Sequence, residues 1–145
     1  MTHLAAGTLL LAKTTGRLLL LERADGHGWD QPGGSMSAED EGDPSATACR
    51  EFDEETGLPP VLLDCIDSFV VRVLPGGEYV TYMPRPPLRA ELAYTLFVCT
   101  FREEFVPTLS DEHTDWGWFT SEKLPENLHP GTRVAIQVLQ IRGDF

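Results

Sequence analysis

Basic residues are scarce in this sequence. Eleven lysines and arginines stand against 23 aspartates and glutamates, which gives a formal net charge of −12 over 145 residues. A field of that sign repels the phosphates of nucleic acids and of anionic membrane surfaces. Unassisted binding to nucleic acid or to a membrane is therefore not expected. A small polyanion can still bind if divalent cations lie between it and the protein.

Cysteine is equally sparse. The three cysteines, Cys49, Cys65 and Cys99, lie far apart, and no Cys-x-x-Cys or mixed Cys/His spacing indicates a zinc or redox site. Nor does their odd number suggest a disulfide framework. We expect them to be small, buried, apolar side chains in a reducing compartment.

Long apolar runs are missing as well, since none approaches the about 20 residues of a membrane span. Residues 1–13 are apolar at their centre, but they have no basic leader and continue into strand-like sequence. We expect this segment to be part of the fold and not a signal peptide. The length suits one domain, residues 1–145, with a substantial core. Together these features predict a cytoplasmic protein.

The N-terminal half predicts a hairpin followed by a loop. Two short apolar runs, Leu4–Ala12 and Arg17–Glu22, flank Thr14-Thr15-Gly16, and this order is typical of a β-hairpin. The glycine-rich segment Gly26–Gly34 comes next and predicts a loop.

A helix is predicted over Asp43–Thr56. Asp43 is a suitable N-cap, Pro44 fits the first helical position, and Gly57 ends the helix.

The second half predicts mainly strands. They are Val61–Val73, Tyr79–Met83, Leu92–Phe101 and Trp116–Phe119. The run Pro84-Arg85-Pro86-Pro87 predicts a stiff loop, because proline cannot join the interior of a sheet. Thr132–Ile141 predicts a C-terminal helix. Strands on both sides of a mid-chain helix, with another helix at the end, predict a mixed α/β (α+β) sandwich.

Acidic residues concentrate on the predicted mid-chain helix. Glu51, Glu54 and Glu55 stand at i, i+3 and i+4, so they share one side of the helix. Like charges at this spacing repel by about 0.2–0.5 kcal/mol per pair. The negative end of the helix dipole also disfavours anions in the last turn. Two interpretations remain: a solvated acidic face offset by Arg50, or oxygen ligands for Mg²⁺ or Mn²⁺.

The residues around this cluster read Gly33-Gly34, then Arg50-Glu51-Phe52-Asp53-Glu54-Glu55-Thr56-Gly57-Leu58. This pattern resembles the signature of the Nudix hydrolases, G-x5-E-x7-R-E-U-x-E-E-x-G-U, in which U is a bulky apolar residue. The second half matches at every specified position, with Phe52 as U. The first half is irregular, because 15 residues separate Gly34 from Arg50 and the signature has 13. Asp40, Glu41 and Asp43 are the alternatives for the missing carboxylate.

The resemblance implies an α/β/α sandwich with a mixed sheet. It also implies a pyrophosphohydrolase that cleaves a nucleoside diphosphate linked to another moiety, X, with Mg²⁺ as cofactor and Mn²⁺ as a possible substitute. The metal ligands it implies are Glu51, Glu54, Glu55 and the carbonyl of Gly33. Arg50 would orient a helix glutamate through a charge-assisted hydrogen bond. Of the glutamates, Glu55 is expected to matter most, and the expected catalytic residues are Glu54, Glu55, Arg50 and Glu112.

A second acidic candidate precedes the predicted strand Trp116–Phe119. Glu112 matches a loop glutamate that acts in many Nudix enzymes as a base or an extra metal ligand. The alternative is a solvated acidic turn in which His113 caps or packs. The other histidines, His3, His27 and His129, have no ligand spacing and are expected to be incidental.

Substrate contacts are less well marked. Aromatic side chains are natural partners of a nucleobase, and Trp29 is the main candidate; the others are Tyr79, Tyr82, Trp116 and Trp118. Arg85 and Arg89 are candidates for contacts with phosphates.

The small size resembles Nudix members that use nucleoside triphosphates, often oxidised ones, or dinucleoside polyphosphates. An ADP-ribose or nucleotide-sugar pyrophosphatase, and a non-catalytic nucleotide sensor, are the alternatives. A monomer or a homodimer is expected. RNA decapping is disfavoured by the charge of −12.

Overall fold

A computed structural model describes residues 3–74, 76–80 and 92–145. Its strands are β1 His3–Ala12, β2 Leu18–Arg23, β3 Trp29–Asp30, β4 Gly33–Ser35, β5 Asp64–Val73, β6 Tyr79–Val80, β7 Leu92–Phe101 and β8 His113–Phe119. Its α-helices are α1 Pro44–Thr56 and α2 Pro130–Arg142, and short 3₁₀ helices cover Ala38–Asp40 and Pro60–Leu62. No helix in the described ranges is long and apolar enough to cross a membrane.

All the described strands join one mixed sheet. Its order is β3-β2-β1-β7-β5-β6, with β4 paired to β1 and β8 paired to β2. Strands β1 and β7 run parallel along their full length, and the other pairs are antiparallel. The predicted mixed sheet is confirmed.

The two helices cover opposite faces of this sheet. Successive side chains of a strand point to opposite faces, so an unbroken run of buried leucines requires cover on both sides. The α2 side receives Leu9, Leu11, Leu18 and Leu20, and the α1 side receives Leu10, Leu19 and Leu21. Phe52 of α1 and Leu139 of α2 complete the two layers and are fully buried. This arrangement is the predicted α/β/α sandwich.

Helix α1 has the ends that the sequence predicts. The Asp43 carboxylate accepts a hydrogen bond from the Ser45 amide at 2.9 Å, and Pro44 occupies the first helical position. The helix ends at Gly57, whose φ of 73° lies in the left-handed region that favours glycine.

Several other element boundaries differ from the prediction. The N-terminal hairpin is paired at Leu11 and Leu18, and farther along the same edge β2 pairs with β3 at Leu21 and Glu22 instead. The predicted loop Gly26–Gly34 contains β3 and the start of β4. The predicted strand Val61–Val73 begins at Asp64, since Pro60–Leu62 forms a 3₁₀ turn.

Near the C-terminus, β8 begins at His113, three residues before the predicted Trp116. The last helix begins at Pro130, because His129 caps it and proline suits its first turn. The predicted strand Tyr79–Met83 is present over Tyr79–Val80. Its remaining residues, and the whole proline-rich loop, lie outside the described residues.

The prediction of buried cysteines is wrong for two of the three. All three are free, but Cys49 and Cys65 are exposed and Cys99 alone is buried. Cys49 lies on the solvent side of α1, and Cys65 lies in the exposed first half of β5. Cys99 packs in the α1-side core.

Candidate active site

Three carboxylates converge beside the C-terminal half of α1. Glu51, Glu55 and Glu112 each offer one oxygen, and these oxygens all lie within 4.8 Å of one another. Glu51 and Glu55 are buried and stand one helical turn apart, whereas Glu112 is exposed on the loop before β8. The described part of the chain therefore brings three of the predicted residues into one group.

Glu55 is the most buried member, with 1% of its side chain exposed. The Gly33 amide donates a hydrogen bond to its Oε1 at 3.1 Å. Burial, together with the charges of Asp30, Glu51 and Glu112, nevertheless raises the pKa of Glu55 to about 9. Its Oε2 has no hydrogen-bond partner among the described residues. A buried carboxylate oxygen of this kind is well suited to a cation.

Glu51 is oriented by its neighbour along the helix. Arg50 Nη1 donates to Glu51 Oε1 at 3.0 Å, which is the contact expected of the arginine in the resemblance. Burial raises the pKa of Glu51, and the Arg50 guanidinium opposes that rise. The ion pair favours the charged form of Glu51, which is the form that binds a metal.

Arg50 is itself anchored by Asp40. Its Nε donates to Asp40 Oδ1 at 3.2 Å and its Nη2 to Oδ2 at 2.9 Å, a bidentate pair. Asp40 is buried and also accepts hydrogen bonds from the Ser37 amide and the Thr47 hydroxyl. The guanidinium holds the pKa of Asp40 well below its usual range.

Of the three alternatives for the irregular half of the signature, Asp40 is thus the one that reaches the site, and it does so through Arg50. Asp43 caps α1, and Glu41 is exposed with a φ of 51°. None of the three belongs to the group formed by Glu51, Glu55 and Glu112.

Glu54 lies outside that group. Its side chain is 57% exposed, and its Oε1 lies 3.7 Å from Arg50 Nη1. At about 100° per residue, Glu55 falls about 40° to one side of Glu51 and Glu54 about 60° to the other. The sheet side therefore holds Glu55, while Glu54 faces solvent. Its role as a metal ligand stays a prediction.

The Gly33-Gly34 pair lets the backbone approach these carboxylates. A Cβ at Gly34 would lie 2.6 Å from the Glu51 carboxyl carbon, and a Cβ at Gly33 would overlap the Tyr94 hydroxyl. Backbone atoms of Ala6 and Gly7 also lie within 2.8 Å of a Cβ at Gly33, so that position needs glycine for space, whereas a Cβ at Gly34 would displace the Glu51 carboxylate. The Gly33 amide contacts Glu55, and the metal-binding role of its carbonyl stays a prediction.

Two further polar residues lie behind Glu55. His113 Nε2 makes a 2.9 Å hydrogen bond with Asp30 Oδ1, and Arg23 Nη1 donates to Asp30 Oδ2 at 3.0 Å. Sequence reasoning treated His113 as a packing or capping residue and gave Asp30 no role. The available signals were weak: Asp30 follows Trp29 in the segment leading into Gly33-Gly34, and His113 directly follows Glu112.

A cavity of about 640 Å³ opens onto this site. Its lining is mixed. Glu51, Glu112, Asp25 and Asp30 are acidic, Val71, Val73, Tyr79 and Leu92 are apolar or aromatic, and Arg23 and His129 carry basic side chains. This volume lies within the usual size range of ligand pockets, so the cavity can hold a nucleotide-sized ligand.

The remaining substrate candidates are scattered. Trp29 packs edge-on against Phe119, with ring centroids 5.4 Å apart, and it does not line the cavity. Its ring is instead part of the α2-side core. Arg85 and Arg89 lie outside the described residues, as does Tyr82, so their contacts stay predictions.

Two of the other aromatic candidates, Trp116 and Trp118, pack in the α1-side core, while Tyr79 lines the cavity. His129, expected to be incidental, lines the cavity and caps α2 by accepting the Gly131 amide at 3.2 Å. Burial lowers the pKa of His129.

The family model described as "NUDIX domain" matches residues 1–139. This chain belongs to the Nudix family. Nudix hydrolases are pyrophosphohydrolases that generally use divalent metal ions, so the chain is an enzyme of that class.

Solved structures share the fold at low identity. A Nudix hydrolase from M. smegmatis, RenU, is 24% identical, with a TM-score of 0.74 over 99% of this chain and 87% of that one. The MutT protein from Methanosarcina mazei Go1 is 21% identical, with a TM-score of 0.73 over 98% and 95%. An Ap4A hydrolase from C. elegans is 21% identical, with a TM-score of 0.61 over 80% and 78%. No curated protein sequence matches the chain.

Proposed function

We propose that this Nudix enzyme is a Mg²⁺-dependent pyrophosphohydrolase whose metal is held by Glu51, Glu55 and Glu112. The observation that carries the proposal is the convergence of one oxygen from each of these carboxylates within 4.8 Å. Glu54 and the Gly33 carbonyl are proposed as additional ligands from the resemblance. Mn²⁺ is expected to substitute, because both ions take oxygen ligands.

The donor set fits a hard divalent cation. Three carboxylates this close repel one another. Burial, together with the charges of nearby carboxylates, raises the pKa values of Glu51 and Glu55. The unpartnered Oε2 of Glu55 offers a lone pair inside the protein. A bound cation would relieve the repulsion and compensate the lost solvation.

When bound, a divalent ion neutralises charge on a pyrophosphate and lowers the pKa of a coordinated water. The side chains divide the remaining work. Arg50 favours the charged form of Glu51 and orients its carboxylate, while the Gly33 amide holds one oxygen of Glu55. Glu112 is exposed and lines the cavity, so it is the carboxylate best placed to accept a proton from the attacking water. Water adds to one phosphorus of the anhydride, and the other phosphate leaves.

We propose that the substrate is a nucleoside triphosphate, with a normal or an oxidised base, or a dinucleoside polyphosphate. The apolar lining residues and Tyr79 suit a nucleoside, and the acidic lining residues suit metal-bound phosphates. The Ap4A hydrolase that shares this fold is named for a dinucleoside polyphosphate. ADP-ribose and nucleotide sugars are the alternative substrates, and the converging carboxylates disfavour a non-catalytic sensor.

The cellular setting follows from composition. Three free cysteines, two of them exposed, suit a reducing compartment such as the cytoplasm. The charge of −12 favours a metal-complexed small nucleotide over nucleic acid as the bound partner.

A hydrolysis panel at mildly alkaline pH tests the proposal. It covers normal and oxidised nucleoside triphosphates, dinucleoside polyphosphates, ADP-ribose and nucleotide sugars, with Mg²⁺, Mn²⁺ or chelator, and chromatography resolves the products. We expect metal-dependent release of a nucleoside monophosphate from one of the first three classes. Cleavage that survives complete chelation would contradict the metal assignment.

A matched pair of variants tests the site. Glu55→Gln keeps the shape but removes a charged ligand, and we expect kcat to fall by more than about 100-fold, the upper range for residues that only support ligands. Asp53→Asn makes the same carboxylate-to-amide change at an exposed position of the same helix and should leave kcat near that of the wild type. Equal rates for the two variants would remove Glu55 from the site.

A further inference from the structure

A chain of ion pairs and hydrogen bonds runs from the protein surface to Glu55. It begins at Asp25, which pairs with Arg23 Nη2 at 2.6 Å, and continues through Asp30 and His113. Side-chain exposure falls along it from 46% at Asp25 to 12% at Asp30, 4% at His113 and 1% at Glu55. The proposed metal ligand therefore lies beside the buried end of this chain, 3.1 Å from the His113 ring.

Asp30 determines how the His113 ring is oriented. Both of its oxygens are acceptors, one toward Arg23 and the other toward His113. Because a carboxylate only accepts hydrogen bonds, His113 Nε2 is the donor in this pair. The opposite nitrogen, Nδ1, is then turned toward Glu55 and lies 3.1 Å from Oε2. This contact is not aligned as a hydrogen bond, so neither atom has a hydrogen-bond partner among the described residues.

The sheet fixes the positions of Arg23, Asp30 and His113. Strand β2 carries Arg23 and lies between β3, which carries Asp30, and β8, which begins at His113. The β2–β8 ladder shifts register between Glu22 and Arg23, so that Thr114 is skipped and His113 stands opposite Arg23. A regular ladder would place Thr114 there. Bulges of this kind re-aim side chains next to functional sites.

Packing alone does not account for this arrangement. Asp30 adds a third carboxylate charge, besides Glu51 and Glu112, that raises the pKa of the buried Glu55. An apolar side chain in place of His113 would fill the volume at lower cost, since a buried polar network stabilises only when every member is satisfied. What the ring provides instead is a fixed neighbour on the Oε2 side of Glu55, which the Gly33 amide does not hold, and this contact limits how far the carboxylate can turn.

We propose that His113 and Asp30 are positioning residues: the ring supports the Glu55 carboxylate in its metal-binding orientation, and Asp30 fixes the ring. This inference rests on the proposed metal site. Partners that orient a metal ligand typically contribute 10–100-fold to metal affinity. The pair acts on metal binding and not on substrate contact, so its loss should be recovered in part at saturating metal.

The test measures binding of Mn²⁺ alone to the whole protein, by the electron paramagnetic resonance signal of the free ion. We expect Asp30→Asn and His113→Asn to raise the Kd for Mn²⁺ about 10–100-fold, with kcat at saturating Mn²⁺ falling less than the affinity does. The controls Asp53→Asn and His27→Asn make the same changes at exposed positions and should bind like the wild type. A merely structural role would lower the melting temperature and leave the Kd of the folded protein unchanged.

Glu55→Gln separates this inference from the proposed function. If Glu55→Gln binds Mn²⁺ as tightly as the wild type, the metal site itself is wrong. If Glu55→Gln loses binding while Asp30→Asn and His113→Asn bind like their controls, the positioning role alone is overturned.

A measurement on the wild type covers the case in which a variant does not fold. In a crystal structure with Mn²⁺, we expect Glu55 to ligate the ion while His113 Nδ1 lies within hydrogen-bond distance of the same carboxylate. A ring turned away from Glu55, or a broken contact with Asp30, would overturn the inference.

Discussion

Two polar networks support the carboxylates of α1, and they are built in different ways. The Arg50 network comprises Arg50, Asp40 and Glu51, and its longest link joins residues 10 positions apart. The His113 network comprises Arg23, Asp30 and His113, and its central hydrogen bond joins residues 83 positions apart. The first network follows from a helix and the turn that precedes it. The second exists only because three strands meet in one register.

The difference explains which network could be predicted. Arg50 and Glu51 are neighbours on a capped helix, so their contact follows from helical geometry once the helix is assigned. No such rule connects Asp30 with His113, because β pairing depends on the whole sheet and on one skipped residue, Thr114.

The largest effect is expected from a change that disturbs the Arg50 network alone, a methyl group at Gly34. Gly34→Ala would place a Cβ 2.6 Å from the Glu51 carboxyl carbon and push that ligand aside. We expect kcat/KM to fall by about 100-fold, the effect of an ångström-scale misplacement at a reacting centre. Gly76→Ala is the matched control, because nothing lies within 4 Å of its Cβ position. Equal activity of the two variants would mean that Glu51 is not fixed where it stands.

A milder change, Arg50→Lys, keeps the positive charge and removes the bidentate guanidinium. Arg50→Lys retains a cation but loses the bidentate pair with Asp40 and cannot hold Glu51 at the same time. We expect about a tenfold loss of kcat/KM, in the range for a weakened supporting partner, and a lower melting temperature. Arg17→Lys is the control, because Arg17 is exposed and its ion pair with the half-buried Glu104 lies outside the site. If Arg50→Lys loses no more kcat/KM than this control, the bidentate pair with Asp40 is not needed for activity.

The smallest expected effect is on stability, and it sharpens the comparison because Glu55, which the His113 network contacts, and Asp40 of the Arg50 network respond at opposite ends of the pH scale. Glu55 has its pKa raised from 4.5 to about 9, so the folded state binds its proton more tightly than the unfolded state. Its contribution to the stability of the metal-free protein is therefore present below pH 4.5 and lost as the pH rises toward about 9. Asp40 has a lowered pKa, so its contribution is present above its ordinary value of 3.8 and lost as the pH falls below it.

Melting temperatures across pH, with and without Mg²⁺, check this expectation. The metal-free wild type should lose stability on the alkaline side relative to Glu55→Gln, and Mg²⁺ should remove much of that difference. Asp40→Asn should instead reduce the loss of stability on the acid side. Parallel profiles for the wild type and Glu55→Gln would show that Glu55 does not carry the raised pKa.

Much of the fold could be predicted because the decisive signals are local. The caps Asp43 and Gly57 define α1, and unbroken leucine runs in β1 and β2 predict strands covered on both faces. Errors arose where tertiary contacts decide. The glycine-rich segment after β2 became β3 and β4 only because neighbouring strands pair with it, and exposed Cys49 and Cys65 look no different in sequence from buried Cys99.

The amino-acid sequence by itself determined a capped helix that carries Arg50, Glu51, Glu54 and Glu55 in one arc, because helical spacing depends only on the order of residues. Tertiary structure alone decided which members of that arc face the site. Glu55 is buried against the sheet, whereas Glu54 is exposed to solvent. Gly33 of β4 contacts Glu55, and Glu112 lies on the loop before β8. It also decided that His113 meets both Asp30 and Glu55, because the register of β2 against β8, with its one-residue bulge, places side chains that are distant in sequence at one end of the sheet.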